Sequence, residues 1–274
     1  MEEKLNRINE ILESLGEPFR VEHKAVNKNN EVLSGLVLTG KTACPTIYVD
    51  DEMFLATPDD EIIKELADTF ATCNLDFDSR YIEQDYILAN VYPKVIGSNN
   101  LHWVEEGNYM YKKFLDLIIL FYVIVGNEDG QMLSYTLMNS HVKGLRKGDI
   151  YGTAISNLRK STDVFPMERI FREMIGETDD VGHDMWIFTN KWRVNGAAVI
   201  LIDDLLNDFA NTVNEDFIIL PSSVHEVIAL PFASTINAED LYSMVCEINS
   251  TTIDPKDKLT DNVYIYDGSL RAYK

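Results

Sequence analysis

The sequence predicts an α+β protein: antiparallel, hairpin-rich sheets with helices packed on one face, beginning with a helix–three strands–helix unit. Three observations predict it. Apolar residues recur at helical spacing in some segments and form β-branched and aromatic blocks in others. Strands are joined by short turns suited to hairpins, such as Asn27-Lys28-Asn29-Asn30 and Asn127-Glu128-Asp129-Gly130. Carboxylates or asparagines stand where a strand hands over to a helix, at Asp59, Asp149, Asp204 and Asn237. Hairpin-linked strands argue against a doubly wound parallel sheet, and the irregular spacing of the units argues against a solenoid.

The first element is a helix over Glu2–Leu15, with Leu5, Ile8, Leu12 and Leu15 on one stripe and Gly16 and Pro18 ending it. Strands follow over Phe19–Val26, Glu31–Leu38 and Thr46–Val49. An acidic turn, Asp50-Asp51-Glu52, leads to Thr57 as N-cap, Pro58 at the first helical position and Asp60 in the capping-box place. That helix runs to Thr72 and buries Ile62, Ile63, Leu66 and Phe70. Residues 1–73 therefore read as one α+β unit. The polar stretch Asn74–Arg80 reads as a linker, and residues 81–274 as a larger α+β domain, separate or packed with the first as one globule.

In the larger domain Tyr81–Tyr92 reads as a helix stopped by Pro93. Phe114–Val125 reads as a buried strand, Asn127–Gly130 as its turn and Met132–Met138 as the returning partner. Helices follow over Asp149–Asn157 and Pro166–Ile175, then an acidic loop over Gly176–Asp184. Met185–Thr189 and Ala197–Ile202 read as a strand pair joined by a turn ending in Asn195-Gly196. A helix over Asp204–Val213 comes next, then strands Phe217–Leu220 and Glu226–Leu230 flanking Pro221-Ser222-Ser223. Asn237 caps a helix over Ala238–Asn249, and Val263–Tyr266 is the last strand.

Composition narrows the function. Across 274 residues, 45 acidic side chains face 24 basic ones, a formal charge of −21, and 46% hydrophobic residues supply a core. The charge is concentrated: residues 201–250 hold nine carboxylates and no base, and no Lys or Arg occurs from Val194 to Pro255. Such a surface repels phosphate backbones and anionic membranes, so neither is an expected partner. Many of the acids stand at expected helix starts, where they cap free N–H groups and favour the positive end of the dipole. The longest apolar stretch, Leu115–Val125, is interrupted by Asp116 and is too short for a bilayer span, and the N-terminus carries no signal pattern. The expectation is a soluble cytoplasmic protein. Three scattered cysteines, Cys44, Cys73 and Cys246, build no disulfide framework.

Neither GxGxxG nor GxxxxGK[ST] is present, and no cofactor is expected. The most suggestive cluster is Leu220-Pro221-Ser222-Ser223-Val224-His225-Glu226, which places two hydroxyls, an imidazole and a carboxylate together. In a strand, His225 and Glu226 point to opposite faces, so Glu226 cannot orient His225. No second His stands four residues on, as a metalloprotease helix would need. His225, then Ser222 and Ser223, are the candidate catalytic residues, against a reading in which they simply build a turn. Trp192, beside Arg193 and Asn195-Gly196, is a candidate binding residue, with Glu226 a weaker one; Trp192 folded back over the sheet is the competing reading. Asp180, His183 and Asp184 form only a loose acidic group, and no metal is expected.

Several segments together resemble an uncharacterised bacterial family of gut-associated Firmicutes. They are Cys44-Pro45-Thr46-Ile47-Tyr48, Phe114-Leu115-Asp116-Leu117, Asn195-Gly196-Ala197-Ala198, Ile219 through Val227, Met244-Val245 with Asn249, and Leu259 through Tyr264. The likeness spans nearly the whole chain, and Pro-Ser-Ser-x-His-Glu is its most specific element. The element order is distantly similar to the YtpQ-type family, also without assigned activity. Gly144-Leu145 stands where the family commonly has Trp-Gly. The resemblance implies a cytoplasmic α+β protein and carries over no catalytic residue. The leading expectation is an interaction or regulatory protein without catalytic activity, its acidic surface suited to a basic protein partner. The alternative is a ligand-binding or hydrolase-like enzyme centred on Ser222, Ser223 and His225; a carboxylate-based metal protein ranks third. The sequence sets no oligomeric state.

Overall fold

An amphipathic helix cannot hide its apolar stripe alone, and α1 (Glu2–Leu15) spends its stripe on a three-stranded sheet. The computed structural model describes residues 1–40, 46–72, 78–128, 131–175, 185–232 and 237–274. It divides into two compact units, Met1–Tyr81 and Ile82–Lys274.

In the first unit α1 ends at Gly16, whose φ of 76° is the left-handed cap that glycine takes without a Cβ penalty. Leu15 falls off the stripe and is exposed, while Leu5, Ile8 and Leu12 are buried. β1 (Arg20–Lys28) and β2 (Glu31–Thr39) pair from Arg20↔Thr39 to Lys28↔Glu31. The strands therefore run further than expected, and the turn shrinks to Asn29-Asn30, with Asn30 at φ 61°. β3 (Thr46–Tyr48) joins β2.

The expected acidic turn is instead the start of a helix, α2 (Asp51–Ala56), with Asp50 accepting the Met53 N–H at 2.8 Å. Six residues are too few to display helical periodicity. α3 (Asp59–Thr72) follows. The Thr57 hydroxyl, expected to cap α3, donates back to the Met53 carbonyl at 2.8 Å and closes α2. Buried Lys4 completes that closure, its Nζ donating to the carbonyls of Phe54 (2.8 Å), Leu55 (3.2 Å) and Thr57. These are carbonyls left without a helical partner at a C-terminus. Buried Asn9 clasps Val21 through both its N–H and its carbonyl, each at 2.9 Å, and so fixes α1 against β1.

The second unit contains α4 (Gln84–Asn90), β4 (Val91–Gly97), α5 (Leu101–Glu106), β5 (Tyr111–Phe114), β6 (Leu117–Glu128) and β7 (Gln131–Thr136). Then come α6 (Lys147–Ser161), β8 (Thr162–Pro166), α7 (Glu168–Ile175), β9 (Trp186–Asn190), α8 (Asp203–Val213), β10 (Phe217–Leu220), β11 (Val227–Pro231), α9 (Ala238–Thr251), β12 (Tyr264–Tyr266) and β13 (Leu270–Ala272). One sheet has β4 on one edge of β6, with β5 and β7 in succession along the other. The other runs β13-β12-β10-β11-β9-β8, antiparallel throughout. Phe217 and Ile219 face a core shared with Leu206 and Phe209 of α8, and Ile218 and Ile265 face Val245 of α9.

Three expectations are corrected. The helix expected to run to Tyr92 ends at Asn90, and Pro93 lies inside β4 opposite Phe121. Proline is tolerated there because β4 is an edge strand, where a missing N–H costs no ladder bond. The run Phe114–Val125 is broken by a two-residue turn, Leu115 at φ 51° and Asp116, which separates β5 from β6. Ala197–Ile202 is not a strand: Gly196–Leu201 is a 3-10 helix buried along its whole length. An apolar run hydrophobic on all sides carries no period to tell these apart. β8, α6 beyond Asn157 and β13 were not foreseen.

Asp129 and Gly130 of the expected turn lie outside the described residues, as do Cys44, Cys73 and the loop 176–184 with Asp180, His183 and Asp184.

Candidate functional site

β10 stops at Pro221, and the Ser223 N–H donates to the Glu226 carbonyl at 3.1 Å, turning the chain into β11. Inside this turn each polar group of His225 has a partner. Its backbone N–H donates to Ser223 Oγ at 3.0 Å, and its carbonyl accepts from Thr189 Oγ1 at 2.8 Å. Nδ1 accepts the backbone N–H of Asn195 at 3.1 Å, and Nε2 meets Asp257 Oδ1 at 3.2 Å. A backbone N–H can only donate, so Nδ1 is the unprotonated nitrogen and Nε2 carries the proton towards Asp257. In that tautomer His225 has no free lone pair with which to take a proton from a serine. Ser223 faces the backbone rather than the imidazole. Ser222 lies apart from the ring, its Oγ 3.5 Å from Glu226 Oε1.

The residue that orients His225 is thus Asp257, 32 positions further on, while Glu226 points elsewhere. Asp257 is fixed from behind, since its carbonyl accepts the Val224 N–H at 2.8 Å.

The turn after β9 supplies the other side. Buried Asn190 accepts the N–H of Trp192 at 3.0 Å and of Val194 at 3.4 Å, and donates to the Val194 carbonyl at 2.8 Å. Arg193 and Asn195 sit at φ 54° and 56°. Gly196 is dictated by space, because a Cβ there would strike Thr189 Oγ1 and the His225 carbonyl. Trp192 is half-buried and packs edge-on against Tyr92 of β4, centroids 5.0 Å apart, and Tyr92 lies 6.0 Å from Tyr122 of β6. Tyr122 hydrogen-bonds the Asn195 side chain, and burial pushes its phenol well above the ordinary range. Lys191 holds its ammonium 4.6 Å from the Trp192 ring. Trp192 therefore folds back over the sheet.

The two turns singled out in the sequence meet, with Asn195 joining the Trp192 turn to His225. Thr189, Tyr92, Tyr122 and Asp257 were missed, and Asn195 was singled out only as part of its turn. Asn-Gly at 195–196 carried a signal, since Asn tolerates positive φ; Asp257 carried none.

The remaining histidines are engaged locally. His23 Nε2 lies 2.7 Å from Ser34 Oγ across the first hairpin. His102 is in α5, with Nδ1 3.2 Å from the Asn99 carbonyl. His141 accepts the Met138 N–H at 3.2 Å, and burial lowers its pKa. Cys246 is half-buried on α9. Among the described residues no three His, Cys, Asp or Glu side chains converge on a metal position, and no helix is long and apolar enough to cross a membrane.

Fold and site define a class: an α+β protein of antiparallel sheets in which the Ser-Ser-x-His-Glu segment is a hydrogen-bonded knot between two turns. The chain belongs to DUF5688, a family of unknown function, whose model matches residues 2–268. No curated protein and no solved structure matches it.

Proposed function

We propose that this chain is a cytoplasmic interaction or regulatory protein without catalytic activity, which binds a basic protein partner through its acidic surface. One observation carries the reading: the carboxylates between residues 201 and 250 are largely uncompensated. Asp208, Glu215, Asp216, Asp240 and Glu247 are exposed and form no ion pair among the described residues. Unneutralised charge of one sign attracts a partner of the other and speeds encounter. An origin in gut Firmicutes and a wider kinship with the YtpQ-type family belong to the same reading. The test is to immobilise the purified chain at low ionic strength in native cytoplasm. A stoichiometric basic partner, released when salt reaches about 0.5 M, is expected because screening removes the attraction; recovery of no such partner sinks the reading.

The second reading, a hydrolase-like or ligand-binding site at Ser222, Ser223 and His225, is favoured by the His225–Asp257 pair. It is opposed by the occupied Nδ1. Covalent labelling of Ser222 or Ser223 by a fluorophosphonate would establish it over the first.

A further inference from the structure

The first unit contains a groove of about 190 Å³ between β2–β3 and α2–α3. Its floor is core: Leu36, Phe54, Ile62 and Leu66 are buried there. Its mouth is apolar and open, with Met53 71% exposed and Tyr48 44% exposed. Isolated exposed hydrophobes need no explanation, but two flanking one groove whose floor is the core mark a binding surface. Asp50 and Glu65 stand on the rim. The helices forming one side, α2 and α3, carry seven carboxylates and a single base, Lys64. Only Asp59 is spent on ion pairs among the described residues, with Lys4 and Arg7.

Resting on the proposed binding of a basic partner, we infer that this groove docks a basic amphipathic segment of that partner. Apolar side chains enter the groove, and flanking Lys or Arg residues meet Asp50 and Glu65. Charge decides among occupants. An anionic ligand is repelled by the rim. A second copy would set the same acidic rim against itself, because a two-fold contact is self-complementary. An uncharged apolar ligand would leave the rim carboxylates without counter-charge. The chain's own lysines already use the chemistry on offer: Lys4 donates to the carbonyls ending α2, and Lys28 holds its ammonium 5.0 Å from the Tyr48 ring. Met53, unbranched and polarizable, suits a mouth that adapts to the side chain entering it.

The test uses the full chain and a fluorescent peptide of about 14 residues, Leu and Lys at helical spacing, with Lys/Ser and Leu/Glu peptides as controls. The Leu/Lys peptide is expected to bind at least about tenfold more tightly than either control. Met53→Ala and Glu65→Lys, both at exposed positions, should each weaken it about five- to tenfold, while Glu247→Lys on α9 changes nothing. If both basic peptides bind but only Glu247→Lys weakens them, the groove is overturned and the acidic-surface reading stands. Equal binding of Lys/Ser and Leu/Lys also overturns the groove. If neither basic peptide binds, or Leu/Glu binds as well, both readings fail. Self-association that Met53→Ala abolishes, without peptide binding, assigns the groove to a second copy and overturns the proposal.

Discussion

His225 commits four polar groups to four different neighbours, and none of them is a substrate-facing lone pair. His225→Ala removes both ring bonds and orphans the Asn195 N–H. It should cost about 1–3 kcal/mol in urea unfolding. The Asp257 pair adds little to this, since both side chains are about one-third exposed and water screens them. His141 gives a pH dependence with a definite sign. Burial holds its folded pKa below the ordinary value, so the unfolded chain takes up the proton first as pH falls. Its contribution is complete above about pH 6.5 and declines as pH drops through that value. Urea midpoints of the native chain should fall across that window, and His141→Gln should flatten the fall. An unchanged slope in the variant would refute the assignment.

At the scale of elements, two close approaches hold their surroundings in place. Gly196 starts the buried 3-10 helix where β9 and the 220–226 turn meet. Gly196→Ala would push Thr189 and the His225 carbonyl apart, costing about 2–3 kcal/mol in denaturant unfolding. Lys4 satisfies the carbonyls ending α2, so Lys4→Ala should destabilise the first unit by roughly 2–3 kcal/mol. The elements also divide by how legible they were. α1, α3, α8 and α9 announced themselves through apolar stripes and carboxylate or Asn starts, and Asn237 does accept the Glu239 N–H at 3.0 Å. α2 was too short for a stripe, and Ala197–Ile202 too uniformly apolar for a period. Asp116, in the unforeseen β5–β6 turn, accepts from Thr260 at 2.7 Å and Tyr264 at 2.8 Å. Partners some 144 positions away leave no local pattern.

At the scale of the whole chain, two compact units predict two separable unfolding steps. Lys4→Ala should move one calorimetric transition and Gly196→Ala the other; a single transition moved by both would show that the units unfold together. The charge of −21 predicts that salt raises thermal stability by screening self-repulsion, measurable as Tm against ionic strength from about 0.02 to 0.5 M. A Tm that falls with salt would mean that ion pairs outweigh repulsion.

The sequence by itself determined the α+β class, the helix–three strands opening, most strand and helix positions, and an excess of carboxylates over bases. These depend on periodicity, turn chemistry and charge, all of which are local or additive along the chain. It also drew attention to the 192–196 and 220–226 turns, because Asn-Gly and Pro-Ser-Ser signal special backbone. Only the tertiary structure decided that these turns meet, that Asn195 and Asp257 fix the His225 tautomer, and that Trp192 lies on Tyr92. A hydrogen bond between residues 30 or more positions apart depends on where the fold brings two strands together, and no spacing rule encodes it.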